Sequence, residues 1–446
     1  MVKNCHMMIF GSTGDLTYQK LLPAIFDLYK SKDLCDQFQL VCIGRKAYTL
    51  DEYLEPIGEQ YHKQIEFHDF KKHILYFQMD FTNSEAYKTL TQFDFTKHWV
   101  FYLATAPRFF RLITESLQAN QYLDQENGFK RIVFEKPFGE NFEDAKTINQ
   151  AIRNILEEDQ IYRIDHYLGK EMIQNILLTR MYNNVIEMLW HKDAIESVEI
   201  VISEKDGVKN RGNYYDHSGA LKDMVQNHIF QIVALIAMEL PENLTPSEIR
   251  SEKNKILKKI QLTTDNVFGQ YEGYHQEKDI PEGSKTETFV AMKLLIDSKR
   301  WENVPFYIKT GKALAIKHAH VVVRFKKNKG NVNENVLMIE IQPEEGIYLQ
   351  MNSKMPGIST DVTKVTMNYC HSCLKYGAEP SAYSRLLLDT MLGDKSLFAS
   401  WEEIETSWEI VDKVVKIKEK QELVIYEPYK MWDQYVLVEK GWWIDD

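Results

Sequence analysis

The chain has 446 residues, of which 44% are hydrophobic and 27% charged, and its formal net charge is −11. That is enough ordinary globular material for two or three domains. The acidic balance argues against a generic nucleic-acid binder, which neutralises phosphates with clustered Lys and Arg, so any anionic ligand needs a local basic pocket.

Residues 2–10 are an apolar run that ends at Gly11, and Leu16 to Leu28 carry apolar residues at helical spacing, which predicts strand, glycine turn, helix. The run is too short for the apolar core of a signal peptide, and nothing in the chain approaches the roughly 20 apolar residues of a membrane span. Further strands are predicted at residues 39–44, 74–79, 99–104 and 131–135, with helical patterns between several of them. Apolar runs alternating with helices indicate a parallel, doubly wound sheet, a Rossmann-like fold. The texture changes near residue 170. One helix is predicted over 171–189, a half-wet strand over 195–202, and an apolar helix over 219–240 that stops at Pro241. The charge run 253–259 reads as a solvated helix face. Strand-like runs at 288–296, 306–310, 319–325, 336–341, 347–351 and 362–367 follow without long helices between them, which implies a large, mainly antiparallel sheet. Helices near 380–392 and 400–418 close the pattern. The expected organisation is a dinucleotide-binding α/β domain over 1–170 and an α+β domain over 171–446, for substrate binding and dimerisation. Five sparse cysteines suit a reducing cytoplasm, and Cys370 with Cys373 forms a lone CxxC that reads as structural, with no metal site expected.

Chemistry concentrates in a few places. Gly11-Ser12-Thr13-Gly14-Asp15-Leu16 joins the first strand to the first helix, where glycines let the backbone approach a pyrophosphate and the helix N-terminus offers N–H groups. Arg45 follows the second strand, where an acidic residue would favour NAD; a basic one suits the 2′-phosphate of NADP. Ala106 and Pro107 follow the fourth strand, and Glu135-Lys136-Pro137 follows the fifth. The densest stretch is Arg163-Ile164-Asp165-His166-Tyr167-Leu168-Gly169-Lys170-Glu171. Burying so many polar groups costs free energy unless each is partnered, so the stretch suggests an anion site with an acid–base pair. Asp223 and His228 share the apolar helix. Five residues at about 100° each leave them roughly 140° apart, so both serve one cleft only if the cleft wraps the helix or the helix is irregular. Lys309, Lys312 and Lys317 surround Gly311 after a predicted strand, a pattern suited to hydroxyls or phosphate.

Together these motifs resemble the glucose-6-phosphate dehydrogenase family, in a compact bacterial-type form, over nearly the whole chain from Gly11 to Asp389. The resemblance implies oxidation of glucose 6-phosphate at C1 to 6-phosphogluconolactone with hydride transfer to NADP⁺, in a cytoplasmic homodimer. It implies that His228 is the general base and Asp165 the carboxylate that orients it. His166, Tyr167 and Lys170 would hold the sugar phosphate, and Glu204, Asp223, Lys312 and Lys317 the sugar hydroxyls and remaining charge. Lys136 would lie between cofactor and substrate. The chain departs from the family in Thr17-Tyr18-Gln19-Lys20 after the glycine turn, where basic residues are usual, which leaves NAD use open; Lys309 stands where an arginine is common. The positions that match a second nucleotide site in mammalian members read Val322 and Glu340, which speaks against that site here. A dehydrogenase of an unphosphorylated sugar and a non-catalytic nucleotide-binding regulator are the competing expectations. The phosphate-clamp residues weigh against the first, and the presence of His228 and Asp165 against the second.

Overall fold

The computed structural model describes residues 5–327, 332–370, 381–430, 437–438 and 441–443. It divides into two compact units, Met1–Gly169 with Ala378–Trp401, and Lys170–Gly377 with Glu402–Asp446. Cys373 of the CxxC pair lies outside the described residues.

The first unit is a six-stranded sheet built from β1 (Cys5–Phe10), β2 (Leu40–Gly44), β3 (Ile74–Gln78), β4 (His98–Leu103), β5 (Lys130–Phe134) and β6 (Ile161–Arg163). Its order is β3-β2-β1-β4-β5-β6, and every neighbouring pair is parallel. This is the doubly wound arrangement expected, with one short strand, β6, that three residues of apolar pattern were too few to reveal. Alternate residues of each strand feed two cores. Met7, Ile9, Leu40, Cys42, Val100 and Val133 face one side; Met8, Phe10, Val41, Ile43, Phe101 and Phe134 face the other. Each large side chain removed from water contributes about 1.5–3 kcal/mol, which is why the strands read as nearly continuous apolar runs.

The first core also takes in Leu386, Leu387 and Met391 from the helix Ala382–Leu392. The sequence predicts a second domain unbroken from 171 to 446; the structure returns this helix to the first unit because its apolar face completes that core. Arg131 fixes its C-terminal end by donating to the carbonyls of Thr390 and Met391 at 2.7 and 2.8 Å. Gly169 permits the helix to approach: a Cβ there would sit 2.7 Å from the Ala382 carbonyl oxygen.

The second unit holds nine strands in one sheet: β7 (Ile195–Ser203), β8 (Ile260–Tyr271), β9 (Phe289–Ile296), β10 (Phe306–Gly311), β11 (His318–Phe325), β12 (Val336–Gln342), β13 (Gly346–Lys354), β14 (Val362–Cys370) and β15 (Val424–Tyr426). The order is β14-β13-β12-β11-β7-β10-β9-β8-β15. Most pairs are antiparallel, as expected, but β7 with β10 and β8 with β15 are parallel. The helix read over 171–189 is two helices, Glu171–Tyr182 and Asn184–Glu187, broken at Asn183, whose backbone is extended (φ −122, ψ 90).

The charge run 253–259 was expected to face water throughout. It does not: the side chain of Lys253 is 1% exposed, and its ammonium lies 3.2 Å from the fully buried Glu403 carboxylate and donates to Gln231 at 2.9 Å. The helix Pro246–Leu257 thus has one charged residue turned inward among apolar Ile249, Ile256 and Leu257. A buried ion pair of this kind barely offsets its own desolvation, but losing one partner leaves a bare buried charge. Lys253→Met is therefore expected to lower unfolding free energy by about 3–5 kcal/mol, and Lys253→Met with Glu403→Leu to recover most of the loss. Urea unfolding followed by circular dichroism checks both; equal destabilisation by the single and double variants would show that charge isolation is not the cause.

Candidate active site

Because all six strands of the first unit run the same way, their carboxyl ends share one edge, where ligands bind in such sheets. The structure places there the Gly11–Leu16 turn after β1, Arg45 after β2, Ala106 and Pro107 after β4, Lys136 after β5, and Asp165, His166 and Tyr167 after β6.

The glycine turn is shaped by contact. Gly11 has φ +79, and a Cβ on it would lie 2.5 Å from the Ala104 carbonyl oxygen. Ser12 is buried; its hydroxyl and its N–H both donate to the Ile43 carbonyl, at 2.9 and 3.0 Å. Thr13, Gly14 and Asp15 are exposed, and the helix begins at Asp15. Arg45 is exposed, and its turn is fixed from behind: Tyr76 donates to the Lys46 carbonyl at 2.6 Å, and Tyr53, stacked on Tyr76 at 4.6 Å, donates to the Ser12 carbonyl at 3.1 Å. The Thr105 hydroxyl, between Ala104 and Ala106, is buried with no hydrogen-bond partner among the described residues. A backbone cradle that a Cβ would fill, an open helix N-terminus, an exposed guanidinium and an unsatisfied hydroxyl fit a nicotinamide dinucleotide.

Lys136 is half-buried beside Glu135, which is 7% exposed. The Glu135 carboxylate accepts from the Tyr102 hydroxyl and, at 3.3 Å, from the Lys136 N–H. Burial pushes the Glu135 carboxyl up, opposed by Tyr102, the Lys136 ammonium and Tyr383. After β6, Asp165 is buried and accepts from the Tyr167 N–H at 2.9 Å, which closes a tight turn. The His166 ring is half-buried, 4.9 Å from the Tyr167 ring and parallel to that of Tyr383 at 6.4 Å. Arg163 does not join this group. It is buried and donates to Glu158 and Asn149, both at 2.8 Å, so its role is to brace β6.

In the second unit Glu204 follows β7 and Lys312 follows β10. Those strands are the parallel pair in register at Ser203 and Gly311, so the next residues leave at the same edge. The Lys312 ammonium donates to Glu204 at 2.5 Å and lies 5.1 Å from the Tyr215 ring centroid. Asp223 is buried and accepts from the Tyr214 hydroxyl at 3.1 Å. His228 is fully buried. The helix carrying both is irregular, one of the two conditions derived from the sequence: Leu221–Ile229 is a π-helix. Its i→i+5 bonding brings a residue five along back over the first, and such segments recur at functional sites. Lys170 instead donates to Gln342, at the end of β12, at 2.6 Å. Lys317 is exposed. Lys209 first, then more weakly Lys317 and Lys312, hold the Asp206 carboxyl below its usual value.

Tyr102, Tyr383, Tyr53, Tyr76 and Tyr214, the side chains that fix the candidate site residues, lie outside every motif signal. Each reads in sequence as an ordinary core aromatic.

Two family descriptions divide the chain: the glucose-6-phosphate dehydrogenase NAD binding domain matches residues 8–175 and the C-terminal domain residues 177–435. The chain belongs to the glucose-6-phosphate dehydrogenase family. It is 40% identical to the glucose-6-phosphate 1-dehydrogenase of Bacillus subtilis (strain 168) over 442 residues, covering 92% of this chain and 90% of that one. It is 36% identical to that of Leuconostoc mesenteroides over 437 residues, covering 91% and 90%. Among solved structures it resembles a glucose-6-phosphate dehydrogenase in complex with its substrate glucose 6-phosphate, with a TM-score of 0.89 and 30% identity over 96% of this chain and 95% of that one. A methyl group at Gly11 would force a left-handed residue against a carbonyl, at a cost of at least about 1–2 kcal/mol. Gly11→Ala is therefore expected to weaken dinucleotide binding roughly tenfold or more at unchanged secondary structure. Equilibrium titration with NADPH fluorescence measures it, and unaltered affinity would remove the turn from the binding site.

Proposed function

We propose that this chain oxidises D-glucose 6-phosphate at C1 to 6-phospho-D-glucono-1,5-lactone, with NADP⁺ as its preferred acceptor and NAD⁺ as a second one, as a cytoplasmic homodimer. The observation that carries the reading is family membership over the full motif set, together with a π-helix at Asp223 and His228 that relieves the angular conflict between them. The bound nicotinamide supplies the hydride acceptor; the chain supplies the rest. Hydride departure builds positive charge at C1 while the C1 hydroxyl loses its proton, so a general base has to take that proton. His228 is that base, and Asp165 steadies the imidazolium. His166, Tyr167 and Lys170 hold the phosphate, where a rigid turn keeps the first two in place. Glu204, Asp223, Lys312 and Lys317 hold the sugar hydroxyls, and Lys136 stands between sugar and nicotinamide. Gly11 to Leu16 with Ala106 and Pro107 cradle the dinucleotide, and Arg45 meets its 2′-phosphate.

Purified protein should reduce NADP⁺ with glucose 6-phosphate; no reduction of either nicotinamide would sink the assignment. Arg45→Ala should raise KM for NADP⁺ about tenfold or more while leaving KM for NAD⁺ nearly unchanged, since only NADP⁺ carries the 2′-phosphate. Initial rates with each cofactor separate these outcomes, and a parallel rise in both constants would contradict the role of Arg45. His228→Asn should reduce kcat by about 10²–10⁴-fold, the usual contribution of a general base, with binding of glucose 6-phosphate largely retained. Single-turnover kinetics beside a binding titration would read both.

A further inference from the structure

A cleft of about 1140 Å³ opens on the nine-stranded sheet of the second unit. Its lining includes His318, His320 and Glu340, none of which has a part in the sugar chemistry. His318 and His320 are two apart on β11 and so project to the same face. Their rings lie 4.4 Å apart, and their Nδ1 atoms are 2.8 Å apart. The other nitrogen of His318, Nε2, is 3.1 Å from a Glu340 carboxylate oxygen. The register of β11 against β12 shifts between Ala319 and His320, an irregularity of the kind that re-aims side chains.

This arrangement has a specific chemical reading. Two metal–imidazole bonds of about 2.0–2.1 Å meeting at a right angle place their nitrogens about 2.9 Å apart. A histidine whose second nitrogen donates to a carboxylate is the usual form of a metal-ligating imidazole, because the carboxylate fixes the tautomer and raises the basicity of the free nitrogen. We propose that His318 and His320 form a two-nitrogen site for a late divalent transition metal, with Glu340 as the carboxylate behind His318 and the remaining coordination positions open to the cleft. Paired imidazoles with open positions beside them suit the nitrogen-seeking ions Cu²⁺ and Ni²⁺.

The energetics are consistent. His320 is 4% exposed, so its ring is held in place by the packing around it. Without metal, one imidazole N–H lies between the two Nδ1 atoms. Metal binding frees both Nδ1 lone pairs by moving the His320 proton to Nε2. That atom is buried with no hydrogen-bond partner among the described residues in either tautomer, so the move adds no unsatisfied group. Turning the His318 ring, the less buried of the two, aligns the second lone pair. Lys309 and Lys317 line the same cleft, so anions rather than neutral groups are the better occupants of the open metal positions.

Calorimetric titration of the untagged, metal-stripped full chain with Ni²⁺ tests the site. One equivalent should bind at micromolar concentration and be absent in His318→Gln and in His320→Gln, whose secondary structure and metal-free turnover stay as in the parent. Glu340→Gln should weaken that equivalent roughly tenfold or more. The Cu²⁺ spin-resonance spectrum of the parent should show coupling to two nitrogens, reduced in His320→Gln. Identical Ni²⁺ stoichiometry and affinity in the parent and both histidine variants would overturn the proposal. So would a Cu²⁺ spectrum unchanged by His320→Gln.

Discussion

Two parallel strands that pair in register deliver their carboxyl ends to the same edge of a sheet, and several of the candidate site residues of this chain hang from such ends. In the first unit six strands obey the rule together, so turns separated by more than 100 residues of sequence, from Gly11 to Asp165, emerge side by side. In the second unit the sheet is otherwise mostly antiparallel, and the exception is informative. β7 and β10 are neighbours and parallel, aligned from Val198 with Phe306 to Ser203 with Gly311. The residues that follow, Glu204 and Lys312, could not meet as an ion pair at 2.5 Å from an antiparallel pair, because one would leave at the opposite edge. The Glu204 N–H donates to the Gly311 carbonyl at 2.9 Å and the Leu314 N–H to the Glu204 carbonyl at 3.0 Å, so the two loops are stitched together before either side chain is considered.

The helix behind them shows a second constraint. A regular helix would turn Asp223 and His228 well apart around its axis. The π-helix from Leu221 to Ile229 removes that conflict, and its start is held by a neighbour. Gly219 has φ +61, and a Cβ on it would lie 2.3 Å from the Glu287 carboxylate. That carboxylate accepts from the Leu221 N–H at 3.0 Å and from Lys418. A buried acid thus occupies the helix N-terminus, where N–H groups lack intrahelical partners and negative charge is favoured, and only glycine leaves room for it. A π-segment also interrupts the first helix of the other unit, at Thr17–Leu21, directly after the glycine turn.

What could be read from the sequence follows from the range of the signal. The strand–turn–helix at Gly11, the parallel strands and the run of antiparallel strands all carry their evidence within a window of about ten residues, through period and turn chemistry. The angular problem at Asp223 and His228 was visible too, though its π-helical resolution was not, because an i→i+5 ladder has no propensity signature of its own. Lys253 was misread since a charge run gives no sign that one member turns inward; its partner Glu403 is 150 residues away. The return of Ala382–Leu392 to the first unit was illegible for the same reason, as Leu386, Leu387 and Met391 look like the apolar face of any helix until the core they complete is known.

That returning helix carries the least readable part of the site. Glu135 is an acid buried immediately before Lys136, and burial alone would favour its neutral form. Hydroxyls from two directions oppose that tendency, Tyr102 from the adjacent strand and Tyr383 from a helix some 250 residues along the chain. Both tyrosines pay in turn: burial, with Glu135 beside them, raises each phenol far above its ordinary value, so each stays a proton donor throughout the working pH range. Two donors that cannot ionise hold the Glu135 carboxyl in place, and its oxygen gives the Lys136 N–H a fixed acceptor. The same Tyr383 ring lies parallel to His166 at 6.4 Å. One residue of a distant helix therefore touches both the turn after β5 and the turn after β6. This explains why a segment so far along the chain belongs with the sheet whose edge it finishes: without it the core loses its apolar cover, and two neighbouring site turns lose a shared wall.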